Sequence, residues 1–227
     1  MSTFVLLHGA GDSAWYWHLV EPDLRAAGHG TVAMDLPVGD PKAGLNEYAD
    51  AVVEAVGDRT GLVLVAQSMA GFVAPLAAAR LPLEEIVLVA AMVPAEGETV
   101  GAWWENTGHS EARRAAETAA GRDPDAPFDP EVVFLHDVPR PLIEAAADLP
   151  HEQSDRPFEE GLAMPPWPDV PTRFALCRDD RFFPAAFQRR QARERLGLTA
   201  DELPGGHCPA LAHPHALAAY LLNGHRT

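Results

Sequence analysis

The sequence predicts an α/β protein with a mostly parallel, doubly wound sheet that helices cover on both faces. Short apolar runs alternate with segments of helical periodicity, and turn residues separate them. The apolar runs are continuous, as is typical of strands buried on both faces of a parallel sheet. A chain of 227 residues, 47% of them hydrophobic, is long enough for one such domain with a sizeable core.

The predicted elements follow in order along the first part of the chain. Apolar strands are predicted at residues 3–7, 31–36, 61–66 and 85–92. Helices are predicted between them at residues 14–27, 45–57 and 70–80. Gly28 and Gly57 end the first two helices, and Pro37 stops the second strand, because glycine favours a helix C-terminus and proline cannot continue a ladder.

Residues 95–170 break this alternation. They are rich in proline and in charge, and they contain no clear strand, although residues 110–120 and 130–148 have a helical pattern. Inserted helical segments often cover an active site. We therefore expect residues 1–94 and 171–227 to form the core and residues 95–170 to form a helical lid. An irregular excursion that only packs against the core is the alternative.

Strand and helix alternate again from Thr172 onwards. An apolar strand leads to the acidic pair Asp179 and Asp180. A helix rich in arginine and glutamine is predicted at residues 185–196, and a last helix at residues 209–222.

The charge of the chain limits its partners. A formal net charge of −16 repels the phosphates of nucleic acid and the surface of an anionic membrane, so neither is expected as a partner. The two cysteines, Cys177 and Cys208, imply no disulfide framework. Because no basic region precedes the first apolar run, and no run approaches the roughly 20 residues of a membrane span, we expect a cytoplasmic protein with a small-molecule substrate. A homodimer is left open.

A serine stands at the sharp end of a buried strand. Residues 64–72 read Leu-Val-Ala-Gln-Ser-Met-Ala-Gly-Phe, in which an apolar run ends at Ser68 and small residues follow. Small neighbours allow a strand to turn abruptly into a helix, which exposes the serine hydroxyl at the tip of a sheet. A plain helix N-cap after a strand is the alternative interpretation.

Three more segments end in chemically useful residues. Residues 4–9 read as an apolar strand that ends in His8-Gly9, and the segment 174–184 contains a strand that ends in Asp179 and Asp180. Residues 205–211 place His207 after Gly205-Gly206, before the last helix. The order along the chain is strand-end loop, serine, aspartate, histidine.

A serine hydroxyl becomes a nucleophile only with a base in reach, and the base needs an orienting carboxylate. Of the ten histidines, His207 combines a glycine-rich loop with a position after the acid, so it is predicted to be the base. A histidine satisfied within its loop is the alternative. A metal site of His207, His213 and His215 is not favoured, because their spacing is not that of a helical pair and no HExxH is present. No metal and no cofactor are expected.

The order of these segments resembles that of the α/β-hydrolases. In that family the acid stands in a frame that matches Asp180-Arg181-Phe182-Phe183-Pro184, so the resemblance implies Asp180 as the third member. Asp179 is then left to form the turn or to pair with Arg178 or Arg181. It also implies that the backbone N–H groups of Met69 and Ala10 form an oxyanion hole. His8 is then expected to be structural.

Within that superfamily the chain is similar to the small hydrolases that include the plant methylesterases and hydroxynitrile lyases. It shares a start at the His-Gly strand and the segment Ala14-Trp15-Tyr16-Trp17. The lyases carry threonine and lysine where this chain has Gly9 and Cys208, so the resemblance implies hydrolysis of a carboxylic ester through an acyl-enzyme. Ala66 and Ala70 depart from the glycines of the usual G-x-S-x-G pattern.

Aromatic residues near these motifs suggest the substrate. A pocket formed by some of them would suit a small apolar or aromatic metabolite. The candidates for substrate contact are Trp15, Trp103, Trp104 and Trp167. Two other uses of the fold stay open: a cofactor-free lyase, cyclase or isomerase, and a ligand receptor.

Overall fold

A computed structural model describes residues 1–149 and 152–224 and contains a parallel sheet with six strands. The strands are β1 (Thr3–Leu7), β2 (Gly30–Ala33), β3 (Leu62–Gln67), β4 (Leu83–Val89), β5 (Thr172–Cys177) and β6 (Asp201–Leu203). Their order in the sheet is β2-β1-β3-β4-β5-β6, and each neighbouring pair is parallel. The predicted α/β fold with a parallel sheet is confirmed.

Helices connect the strands. They are α1 (Glu21–Ala26), α2 (Leu45–Val56), α3 (Val73–Ala78), α4 (Val100–Thr107), α5 (His109–Ala119), α6 (Pro130–Val133), α7 (Arg140–Ala146), α8 (Arg156–Glu159), α9 (Ala185–Leu196), α10 (Pro209–Ala212) and α11 (Pro214–Asn223). Two 3₁₀ turns, Ala14–Trp17 and Ser68–Phe72, follow β1 and β3.

The sheet has one hydrophobic core on each face. In β1 the alternation of side chains sends Val5 and Leu7 to one core and Phe4 and Leu6 to the other, and all four are fully buried. Helices α2, α3 and α9 pack in the first core, and α1, α10 and α11 pack in the second. Burial on both faces explains why the strands read as continuous apolar runs.

The strand order reverses at β1. The chain passes from β1 to β2 on one side, returns across β1 to β3, and then adds β4, β5 and β6 on the other side. Parallel strands end at a common edge of the sheet, and a crevice opens where the order reverses. The loops after β1, β3, β5 and β6 therefore meet at the edge where the predicted site residues stand.

The connection from β4 to β5 carries α4 to α8, and no strand is present in its described part. We call residues 95–170 the insertion; its role as a lid stays a prediction. Pro150 and His151 of the insertion lie outside the described residues, as do residues 225–227 at the C-terminus.

Three of the predicted helices are divided in the structure. The helix expected at residues 209–222 is two helices, α10 and α11, because Pro214 pushes His213 out of the helical region to φ −137 and ψ 51. The helix expected at 130–148 is also two helices, α6 and α7, and Pro139 is the residue before α7. The helix expected at 14–27 consists of a 3₁₀ turn and α1, which has Pro22 in its first turn.

Candidate active site

Ser68 stands on a strained backbone at the end of β3. Its φ is 52, a value that residues other than glycine rarely adopt and that sharp strand-to-helix turns require. Its carbonyl oxygen accepts a hydrogen bond from the N–H of Met92 at 2.9 Å, which fixes the turn against the segment after β4. The surrounding structure thus holds the strained residue in place.

The turn depends on close contact at Gly71. A Cβ at this position would lie 1.9 Å from the carbonyl oxygen of Met92, so no side chain fits. Ala66 and Ala70, which replace the usual glycines, are fully buried. The structure thus accommodates a methyl group at Ala70 but leaves no room for one at Gly71.

His207 lies between Ser68 and Asp180. Its Nε2 is 3.0 Å from Ser68 Oγ, and its Nδ1 is 2.8 Å from Asp180 Oδ2. A carboxylate only accepts hydrogen bonds, so Nδ1 carries the proton towards Asp180 and Nε2 is left to accept from the serine hydroxyl. Since all three residues are buried, water competes little for these bonds.

Asp180 is held by its own turn. Its Oδ1 accepts from the N–H groups of Phe182 at 2.8 Å and Phe183 at 2.9 Å, and Gln188 Nε2 donates to its Oδ2 at 3.3 Å. These bonds leave the carboxylate a fixed direction towards His207. An orienting acid requires this geometry.

The carboxylate of Asp179 binds the backbone of the His207 loop instead of the imidazole. Its side chain is half-exposed, its Oδ2 accepts from the N–H of Gly205 at 3.3 Å, and its own N–H donates to the Gly205 carbonyl oxygen at 2.9 Å. Of the two aspartates, Asp180 meets the imidazole, and Asp179 ties the loop of His207 to the end of β5.

His8 joins two strand-end loops. The N–H of Leu36 donates to His8 Nε2 at 3.0 Å, so Nδ1 carries the proton and donates to the Gly9 carbonyl oxygen at 2.8 Å. Burial lowers the pKa of His8, although the hydrogen bond to Gly9 and the nearby charges of Asp12 and Asp35 raise it. Both ring nitrogens are engaged within the backbone of these loops.

A cavity of about 660 Å³ opens above Ser68 and His207. Ala10 and Met69, the predicted oxyanion donors, both line it. The insertion supplies much of its wall through apolar side chains, among them Phe134, Leu135, Val138, Leu142, Ile143 and Phe158. No lysine or arginine is found among the lining residues in the described parts of the chain.

The four predicted substrate contacts separate into two pairs. Trp15 and Trp104 line the cavity. The prediction is wrong for Trp103, which is fully buried in the core and donates its indole N–H to Val93 O at 3.0 Å. It is also wrong for Trp167, which lies outside the lining and donates to Thr172 Oγ1 at 3.1 Å.

Some neighbours of the site escaped the sequence analysis. The ring of Phe134 lies 5.1 Å from that of His207, and Phe182 lies 5.3 Å from it. Gln67 Nε2 donates to the His207 carbonyl oxygen at 3.1 Å. Gln67 and Phe182 stand inside the motifs and could have been considered, but Phe134 lies in the insertion, where no pattern marks it.

The other histidines of the rejected metal site have different partners. His215 Nδ1 is 2.6 Å from Asp23 Oδ2, and His213 Nε2 is 3.6 Å from Asp137 Oδ2. Across residues 1–149 and 152–224 no three histidine, cysteine or acidic side chains are grouped as a metal site would need.

Comparison with known proteins identifies relatives. "Probable esterase PIR7A" from Oryza sativa subsp. indica is 38% identical over 112 residues, which are 43% of this chain and 42% of the relative. "Methylesterase 7" from Arabidopsis thaliana is 38% identical over 104 residues, which are 40% of each chain. The chain thus matches about two fifths of the length of each of these relatives.

One solved structure matches the fold of this chain over its whole length. The crystal structure of polyneuridine aldehyde esterase covers 100% of both chains with a TM-score of 0.82 and 21% identity. A family model described as "Alpha/beta hydrolase family" matches residues 4–220. The resemblance to the α/β-hydrolases that the four motifs indicated is confirmed. Because this match extends over residues 4–220, and so over most of the sequence, the chain belongs to the alpha/beta hydrolase family.

Proposed function

We propose that the chain is a serine hydrolase that cleaves a carboxylic ester of a small apolar or aromatic metabolite. The observation that carries the proposal is the pair of contacts from His207, 3.0 Å to Ser68 Oγ and 2.8 Å to Asp180 Oδ2, at the floor of an apolar cavity. The names of the relatives, an esterase and a methylesterase, support it.

The reaction would run in two halves. Ser68 Oγ attacks the ester carbonyl carbon while His207 Nε2 takes the hydroxyl proton, and the carbonyl electrons move to oxygen. When they return, the ester C–O bond breaks, and His207 gives its proton to the departing alcohol. Water then repeats the sequence in place of the serine, which releases the acid and restores Ser68. Asp180 stabilises the imidazolium in each half.

The transient oxyanion needs donors that are already in position. We assign this role to the N–H groups of Met69, directly after the nucleophile, and of Ala10, in the loop after β1. Both residues line the cavity beside Ser68. Loss of one such donor typically lowers the rate by ~10²–10³. Neither this role nor the rest of the mechanism uses a metal or a cofactor.

The cavity favours an uncharged substrate. Its walls are mainly aliphatic and aromatic, and no arginine or lysine of the described chain lines it to compensate a buried anion. Burial of a carboxylate or phosphate without a partner is unfavourable, whereas a neutral ester is not penalised in this way. Asp12 and Glu131 also line the cavity, so we infer a small molecule without an anionic group as the partner.

The location and assembly remain predictions. Among the described residues, no helix combines the length and apolar character that crossing a membrane requires. A cytoplasmic location is still an expectation from the sequence, and a homodimer is still an open alternative.

The test compares Ser68→Ala with Ser110→Ala, which alters an exposed serine of α5. We expect Ser68→Ala to lower kcat for p-nitrophenyl acetate by about 10⁴-fold or more, and to abolish labelling by a fluorophosphonate. Ser110→Ala should behave as wild type. Equal turnover by wild type and Ser68→Ala would refute the proposal. Binding of a ligand with neither turnover nor labelling would point to a lyase, cyclase or isomerase, or to a receptor.

A further inference from the structure

The insertion contributes apolar side chains to the cavity wall, and its polar side chains also bind the loops that carry the site residues. Gln153 Oε1 accepts from the N–H of Gly11 at 3.1 Å, in the loop that holds the proposed oxyanion donor. His109 Nε2 donates to the carbonyl oxygen of Phe182 at 2.8 Å, in the turn around Asp180. The insertion therefore has a fixed attachment to two of the loops that carry the site.

The third attachment is to the loop of the base. Asp137 lies between α6 and α7, and its Oδ2 accepts from the N–H of Gly206, directly before His207, at 2.6 Å. The Asp137 side chain is 20% exposed, and its buried Oδ1 has no hydrogen-bond partner in the described structure. The nearest cationic candidate is His213, whose Nε2 is 3.6 Å away.

The loop before His207 and the part of the insertion around Asp137 lie in close contact. A Cβ on Gly206 would lie 2.8 Å from Asp137 Oδ1 and 2.7 Å from His136 Nε2. A Cβ on Gly205, whose φ is 92, would lie 2.8 Å from Asp137 Oδ2. The two glycines allow the loop to lie directly against the insertion, but they leave it with little conformational preference of its own.

The imidazole of His207 has to form hydrogen bonds to two side chains at the same time. Its ring meets Ser68 and Asp180 only if its backbone is correctly placed, and small displacements of reacting groups are costly for the rate. Gln67 holds the carbonyl side of His207 through the 3.1 Å bond from its Nε2. On the N-terminal side of His207, the neighbouring residue Gly206 is held by the hydrogen bond that its N–H donates to Asp137.

We propose that Asp137 is a positioning residue, whose carboxylate holds the Gly206 N–H and thereby fixes His207 between Ser68 and Asp180. This inference rests on the proposed hydrolase function. It assigns the insertion a part in the catalytic geometry besides that of covering the cavity. Asp137 acts through Gly206 and does not contact the substrate.

The experiment compares Asp137→Ala, Asp137→Asn and Asp129→Ala. Asp129 is a matched control, because it is another carboxylate of the insertion that accepts one backbone N–H, from Glu131 at 2.9 Å, but at the start of α6. For p-nitrophenyl acetate we expect Asp137→Ala to lower kcat by about 10- to 100-fold with KM nearly unchanged. Asp137→Asn keeps an amide oxygen for Gly206 and should stay within about threefold of wild type. Asp129→Ala should lower Tm without lowering kcat.

A readout independent of turnover is the downfield ¹H resonance of His207 Nδ1–H in its bond to Asp180. Asp137→Ala should broaden or shift this resonance, and Asp137→Asn should leave it in place. An unchanged kcat and resonance in Asp137→Ala would overturn the inference, as would an equal loss in Asp137→Asn. If Asp137→Ala does not fold, Asp137→Leu, which keeps the size and removes the acceptor, takes its place. If wild type hydrolyses no ester, the proposed function fails, and the resonance still decides the role of Asp137.

Discussion

Nε2 of His207 lies 3.0 Å from Oγ of Ser68, although 139 positions separate the two residues in the chain. The sheet brings them together, because parallel strands end at one common edge. The loop after β6 reaches back across β5 and β4 to the end of β3, where Gln67 binds the His207 backbone. The contact therefore depends on how well that loop is held.

The two neighbouring aspartates should differ greatly in their effect on activity. We expect Asp180→Asn to lower kcat by about 10⁴-fold, because an amide next to Nδ1 favours the wrong imidazole tautomer. Asp179→Asn should cost less than about tenfold, since the half-exposed Asp179 carboxylate contacts the Gly205 N–H and Arg178 and not the imidazole of His207. Steady-state kinetics on one ester, with circular dichroism to check the fold, measures both.

The adjacent position serves as the control in that comparison. A large loss in Asp179→Asn with little loss in Asp180→Asn would exchange the roles assigned to the two carboxylates. Equal losses would indicate that the turn after β5 matters as a whole.

A methyl group at Gly71 should destabilise the protein. The Cβ of Gly71→Ala would lie 1.9 Å from the Met92 carbonyl oxygen, so the backbone has to move, which we expect to cost at least ~1–3 kcal/mol of unfolding free energy. Denaturant unfolding measures this change. Gly39→Ala is the matched control, because its Cβ would have its nearest neighbour at 3.9 Å, and its effect should stay within ~0.5 kcal/mol. Equal stabilities would mean that the turn tolerates the shift.

The parts of the site that stand at strand ends could be predicted from the sequence. Ser68, Asp180 and His207 each follow a strand or a glycine pair, so their local patterns were visible. Asp137 left no such signal. Its role depends on a bond to Gly206, 69 positions away, and no local pattern encodes a contact between an insertion and a distant loop.

Short elements also escaped the pattern. β6 contains Asp201, Glu202 and Leu203, of which only Leu203 is buried, and an apolar run cannot be recognised in three residues. The division at Pro214 was missed for the opposite reason, because apolar residues continue on both sides of it at helical spacing. Periodicity reports which face is buried, but it does not report whether the helix axis is continuous.

The unfolding free energy should fall as the solution becomes mildly acidic. Burial lowers the pKa of His8, and burial also lowers the pKa of His109, below the ordinary value of 6.5. Below pH 6.5 the unfolded chain therefore binds protons that the folded chain does not, so stability is full above pH 6.5 and declines towards the lowered pKa values. The slope contributed by each histidine is at most ~1.4 kcal/mol per pH unit.

Charged neighbours of His8 and His109 oppose or assist the lowering of their pKa values by burial. Asp12 and Asp35 raise the pKa of His8, while Arg113 lowers and Asp180 raises that of His109, but burial outweighs them. Glutamine at both positions keeps a polar amide and removes the titration. The double variant should show a flatter dependence of unfolding free energy on pH between 5 and 6.5 when denaturant melts are compared. An unchanged slope would show that other groups cause the decline.

Trp103 and Trp104 are adjacent in α4, yet their replacement should affect different properties. Trp103 is fully buried, and its N–H donates to the Val93 carbonyl oxygen, so we expect Trp103→Ala to cost about 3–5 kcal/mol of unfolding free energy.

Trp104 lines the cavity and is only partly buried. Trp104→Ala should therefore destabilise less and should raise KM for naphthyl esters several-fold more than KM for p-nitrophenyl acetate, because the larger ester loses more apolar contact. Unfolding curves and the two KM values, measured on both variants, test the assignment. A selective rise of KM in Trp103→Ala, with Trp104→Ala unaffected, would place the substrate on the other side of the helix.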